Sequence, residues 1–329
     1  MKIPTDSKAL DSSSLKIVSV ENWDDWDSAV QQSAQGSIFI HSSYLKMSRL
    51  SDFARFLILD GKIVGGIVIP ELLSVGSEDF IRDFATYQSL WLLRPSSVGF
   101  RSEQKNKDLL LKLGELLLTN RANCSLSLHW SISDIRGLDW AYFNQKKSIR
   151  FTPRYSGLLN FSDFSNFQEY LSSISSGRKS DWKLANALKI EKTTSTTNLD
   201  QFIELYKETV PFSDVSKQHI GMQNVRKIIQ DSISAGTGTL WSARNSEGNL
   251  LSGVFIQEFD GHQYYQFGVN SPNRMNFSPN AILLLNVIKE SFTKGYKSLD
   301  FVGINSPNRG AFKESFNPKT KLYFQVDVN

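Results

Sequence analysis

The sequence predicts an α/β (α+β) protein of two tandem units, each a mixed, twisted sheet flanked by helices. Three observations carry that expectation: the order of elements recurs in the two halves, each half holds a hairpin turned on glycine, and each ends on a strand, a helix and another strand. At 329 residues the chain has room for two cores. The expected units are 15–155 and 156–329, the second opening with a basic helical segment over 160–189.

Helices come first in both halves. Residues 20–26 lead into one and 196–202 into the other, with Asn22 and Asn198 as matching N-caps whose side-chain oxygens would accept an orphan helix N–H. Hairpins follow over 56–69 and 240–256. Asp60-Gly61 and Glu247-Gly248 form their turns, glycine supplying the positive φ such turns require. A third block reads strand 90–93, helix 107–118 and strand 125–129. A single shift brings it onto strand 263–269, helix 280–292 and strand 298–302. Ala281, Leu284, Leu285, Ile288 and Phe292 make one apolar stripe at 3.6-residue spacing, so that helix should lie on a sheet. Between the halves, residues 161–188 read as two short helices, the second carrying Arg178, Lys179 and Lys183. Tyr264 and Tyr265 must point to opposite faces of their strand.

Composition narrows the function. An apolar fraction of 40% and a charged fraction of 21% are ordinary for a globular protein, and a net charge of +4 is too small for a DNA-binding protein. One cysteine, Cys124, excludes an internal disulfide and a thiolate zinc site. The four histidines show no metal-ligating spacing, so no metal is expected. The serine-rich start lacks an apolar h-region and no run is long enough to cross a membrane, which points to a cytoplasmic protein without a transmembrane segment. Walker, dinucleotide-binding and nucleophile-elbow motifs are missing, which leaves group transfer.

The second half concentrates the remaining chemistry. Asn-Ser-Pro-Asn-Arg occurs at 270–274 and again at 305–309, each copy directly after a strand. If those strands lie side by side and part, Asn270, Arg274, Asn305 and Arg309 rim one cleft suited to a phosphate or carboxylate. Asp300 and Glu258 are the candidate general bases by position, and one of the tyrosines, taken as Tyr265, should face the cleft.

The order helix, helix, hairpin, strand, helix, strand is that of the acetyltransferase (GNAT) fold, and the chain resembles the tandem FemAB-like proteins that build cell-envelope polymers. Those proteins, and a related domain of polysaccharide gene clusters, carry Asp-Phe-x-Gly, a later glycine, then Phe-Lys-x-x-Phe. Asp300, Phe301, Gly303, Gly310, Phe312, Lys313 and Phe316 fit that pattern. The resemblance implies a transfer role for Lys313 beside Phe312, through stabilisation of an oxyanion worth about 3–4 kcal/mol. It also implies phosphate contacts for Arg178 and Lys183.

The resemblance further implies transfer of an aminoacyl or acyl group onto an amine of a nucleotide- or lipid-linked glycan or peptide precursor. No tightly bound cofactor is expected; the donor would be aminoacyl-tRNA or acyl-CoA. The loop 273–280 departs from the glycine-rich pyrophosphate cradle of CoA enzymes, and Pro279 removes one N–H donor, which favours charged tRNA. The alternatives are a CoA-dependent N-acyltransferase of surface-polysaccharide or small-molecule synthesis and a non-catalytic scaffold with the duplicated fold. The first half lacks a counterpart of Lys313 and is expected to shape the acceptor cleft.

Overall fold

The computed structural model describes residues 14–69, 86–93, 99–120, 122–143, 145–209, 215–272 and 275–328. The first half begins with β1 (Lys16–Ser19) and α1 (Trp23–Gln32), where Asn22 Oδ1 accepts the Asp24 N–H at 3.0 Å as the expected cap. After α2 (Ser42–Met47), the strands β2 (Ala54–Leu59) and β3 (Lys62–Val68) form the expected hairpin. Asp60 and Gly61 are both left-handed, with φ of 51° and 73°. Next come β4 (Leu90–Leu92), α3 (Phe100–Thr119), β5 (Cys124–Ser127) and α4 (Arg136–Ala141). Cys124 is buried, and burial pushes its thiol up to about 11.

The second half opens on a long strand, β6 (Ile149–Asn160), followed by α5 (Phe167–Ser173) and α6 (Ser176–Lys183). β7 (Lys189–Thr193), α7 (Leu199–Thr209) and α8 (Val215–Ser234) lead to an antiparallel meander of β8 (Gly238–Arg244), β9 (Leu250–Phe259) and β10 (His262–Asn270). The chain closes with α9 (Pro279–Lys294), β11 (Ser298–Asp300), α10 (Pro307–Glu314) and β12 (Lys319–Val328).

Two sheets result. One is antiparallel, in the order β1-β2-β3-β4; the other has eight strands in the order β5-β12-β6-β11-β10-β9-β8-β7. The C-terminal strand β12 runs between β5 and β6 and is antiparallel to both, so a strand of the first half belongs to the sheet of the second. β4 and β5 meet where Ser89 N–H donates to Ser127 O at 3.2 Å and Ser127 N–H to Ser89 Oγ at 2.8 Å, and then go to different sheets. The expected border between 155 and 156 falls inside β6.

The cores follow from this arrangement. On one face of the large sheet, Leu284, Leu285 and Ile288 of α9 pack with Leu159, Leu299 and Phe301, as the apolar stripe requires. On the other face α7 and α8 pack over Tyr264 and Phe267, together with Phe39, Tyr44 and Tyr87 of the first half. The two halves therefore share a core, and Gln266 Nε2 donates to Tyr44 Oη across it at 2.7 Å. Among the described residues no helix is long and apolar enough to cross a membrane.

Candidate functional site

The site is made by two strands that part. β10 and β11 are parallel neighbours over three residue pairs, His262 to Ser298, Gln263 to Leu299 and Tyr264 to Asp300. Beyond them β10 carries an irregularity between Tyr265 and Phe267 and continues along β9 alone, while β11 ends. The chain leaving β11 turns sharply through Val302 and Gly303, whose φ values are 49° and 87°. A β-branched residue in the left-handed region is uncommon and costs about 1–3 kcal/mol, so the surroundings must hold it there.

Lys313 reaches back from α10 into that turn. Its Nζ donates to Phe301 O at 2.6 Å, Gly303 O at 2.8 Å and Val302 O at 3.4 Å, and lies 5.3 Å from the centre of the Tyr265 ring. Burial pushes its ammonium down to about 8, with the Asp300 charge opposing the shift and Arg309 adding to it. Three carbonyls take the three protons an ammonium can offer. Lys313 therefore stands as a fixed charge beside the turn that it braces.

Asp300 approaches the same turn from the other side. Its Oδ1 accepts from Ser156 Oγ at 2.6 Å and from Val302 N at 2.8 Å, and burial raises its carboxyl above the ordinary range against the pull of those bonds. Tyr264 and Tyr265 point to opposite faces as expected, and both are buried, Tyr265 against α9 and Tyr264 against α7 and α8. The Tyr265 hydroxyl donates to Asn280 Oδ1 at 3.2 Å, and its ring lies over Gly268, where an added Cβ would come within 1.9 Å of the hydroxyl.

The loop residues divide. Arg309 is exposed on α10, near enough to Lys313, Tyr265 and Tyr206 to influence their ionisation. Asn305 is committed to the backbone: its Oδ1 accepts Tyr155 N–H at 2.7 Å and its Nδ2 lies 3.5 Å from Tyr323 Oη. Asn270 ends β10 on the surface, and Arg274 lies outside the described residues.

The basic helix α6 also divides. Lys183 is exposed, whereas Arg178 turns inward, its guanidinium 5.4 Å from the Phe312 ring centre and 5.9 Å from that of Phe316. Arg178 Nη2 pairs with Asp181 Oδ2 at 3.1 Å, and Asp181 Oδ1 accepts Ser278 N–H at 2.8 Å. Asp181 thus occupies the N-terminus of α9, where Pro279 has no N–H and Ser278 Oγ accepts from Ala281 N at 3.3 Å. Sequence reasoning missed Asp181, although its i+3 spacing from Arg178 was a visible signal. Glu258 sits at the far end of the sheet, where Tyr296 Oη donates to it, and faces no slot.

Comparison with known proteins bears on the fold that carries this geometry. Residues 176–314, which run from α6 through α10, match the model of the acetyltransferase (GNAT) domain. No curated protein matches the chain significantly. The crystal structure of FemX superposes with a TM-score of 0.61 at 13% identity, covering 92% of this chain and 95% of that one. A conserved protein of unknown function from Bacteroides thetaiotaomicron VPI-5482 gives 0.56 at 12% identity, over 95% and 99% of the two chains. L-PGS from Bacillus licheniformis gives 0.51 at 10% identity, over 95% and 93%. The parting strands and the helix laid on them lie within the segment, residues 176–314, that matches a GNAT acetyltransferase domain, and the chain as a whole has a fold similar to that of FemX.

Proposed function

We propose that the protein moves an aminoacyl group from charged tRNA onto an amine of a nucleotide- or lipid-linked glycan or peptide precursor of the cell envelope. The observation that carries the choice of donor is Asp181 at the N-terminus of α9. A CoA pyrophosphate in a site of this type lies on free N–H groups there. Here a carboxylate holds one N–H, a proline removes another and a serine side chain caps a third. An aminoacyl ester needs no such cradle, and its 3′-terminal phosphates find positive charge at Arg309 instead.

In this reading the acceptor nitrogen attacks the ester carbonyl directly. Its lone pair forms the C–N bond and the carbonyl oxygen takes negative charge; that oxyanion then re-forms the carbonyl, the C–O bond to the terminal ribose breaks, and the proton lost by the nitrogen reaches the leaving ribose oxygen through solvent. The Lys313 charge stabilises that oxyanion through its field, because its protons are held by the turn. The first half shapes the acceptor side. Its corresponding slot is stapled by the buried Gln35, which accepts from Leu92 N–H at 2.8 Å and donates to Ser131 Oγ at 2.9 Å.

The test is transfer of a radiolabelled group to an amine-bearing envelope precursor, with charged tRNA and acyl-CoA supplied in separate reactions. Label should move from charged tRNA and not from CoA thioesters. Transfer from a thioester alone would move the assignment to a CoA-dependent N-acyltransferase.

A further inference from the structure

Val302 and Gly303 present their carbonyls to Lys313 and their N–H groups in the opposite direction. Val302 N–H donates to Asp300 Oδ1 at 2.8 Å, and Gly303 N–H donates to Ser156 Oγ at 3.1 Å. Ser156 Oγ in turn donates to Asp300 at 2.6 Å, and both residues are fully sheltered from solvent, at 0% and 2% exposure. Two adjacent residues, of which the valine is in an unfavourable conformation, are thereby gripped on both edges. An ammonium holds the oxygens, and a hydroxyl and a carboxylate hold the nitrogens. Ser156 comes from β6, so the grip depends on the strand that ties β12 to β11. On the far side Tyr87, itself left-handed with φ of 65°, packs against Tyr323 and His129 next to the Asp300 charge.

We propose that Ser156 and Asp300 are positioning residues which hold the Val302–Gly303 turn in its left-handed form and so fix Lys313 at the slot. Neither touches the slot, and each acts through the turn. The inference takes from the proposed function only the identity of the slot as the place of transfer. A lapse of about 1 Å in such a placement lowers turnover by about a hundredfold without loosening substrate binding. Removing the hydroxyl of Ser156 leaves the Gly303 N–H buried with no acceptor, so the turn should relax.

Amide hydrogen exchange and ¹⁵N-lysine spectra of the full chain test this without any substrate. In the native protein the Val302 and Gly303 amides should exchange slowly, and one ammonium signal, absent from Lys313→Met, should be sheltered from water. In Ser156→Ala the Gly303 amide should exchange at least about tenfold faster while the β8–β9 amides stay protected, and the ammonium signal should vanish. Ser156→Ala combined with Val302→Gly, which adopts a left-handed φ freely, should regain part of the signal. Kinetically, Ser156→Ala should lose about tenfold or more in kcat with the acceptor KM within about twofold. Unprotected Val302 and Gly303 amides in the native protein, or an unchanged ammonium signal in Ser156→Ala, would overturn the proposal. A KM change at constant kcat would do the same. Loss of the signal in a chain that transfers nothing from either donor would uphold the clamp and reject the reading of the slot.

Discussion

Lys313 carries its charge in a setting made of backbone oxygens, and that has a consequence for pH. Its ammonium is pushed down to about 8 in the folded protein, against about 10.5 for an unburied lysine. Between those values the unfolded chain binds a proton the folded chain has released, so stability from this group rises with pH across the window and is lost as pH falls through 8. Urea unfolding at several pH values from 7 to 10 should therefore show the wild type gaining on Lys313→Met as pH rises. Turnover should move the other way and decline above pH 8 as the charge is lost. At this scale the sequence was partly legible. The Phe-Lys pair, the tyrosine alternation and the Asn22 cap were all visible as local spacing. The commitment of Asp300 to the Ser156 hydroxyl and of Asn305 to the Tyr155 N–H was not, because Ser156 and Tyr155 are distant in sequence and nothing local announces them.

Among the elements, α6 and the start of α9 form one electrostatic unit. Arg178 is half-buried between aromatic rings and the buried Asp181, and Asp181 is tied to Ser278. Breaking one partner of a buried pair strands the other charge, so Asp181→Ala should cost about 3–5 kcal/mol, and Arg178→Met combined with it should recover much of that. A double-mutant cycle read by urea unfolding should give a coupling above about 1 kcal/mol; additivity would mean the two residues do not act together. Elements with strong periodicity were foreseen: α9, the hairpins and the strands of the parallel pair. β6 was not, since Pro153, Arg150 and Arg154 blur its alternation and Pro usually argues against an inner strand. Helix α6 was foreseen, but its three basic residues could not say that Arg178 alone turns inward.

The whole molecule is less divided than its repeat suggests. Self-comparison of the halves finds two copies of one element order, whereas the fold threads β12 between them and sets Tyr44, Phe39 and Tyr87 into the core of the second half. Strand exchange of this kind depends on long-range pairing, which a repeat in sequence cannot report. It also makes the two slots unequal. Gln35 staples β4 to the segment after β5 in the first half, whereas β10 and β11 part after three residue pairs in the second.

The most direct measurement is a crystal structure with a non-hydrolysable, amide-linked aminoacyl-RNA analogue. One analogue per chain should lie between the diverging ends of β10 and β11, its carbonyl beside the turn that Lys313 braces and its phosphates at Arg309. An analogue seated between β4 and β5, or a slot that takes a CoA thioester at the start of α9 in its place, would contradict the account.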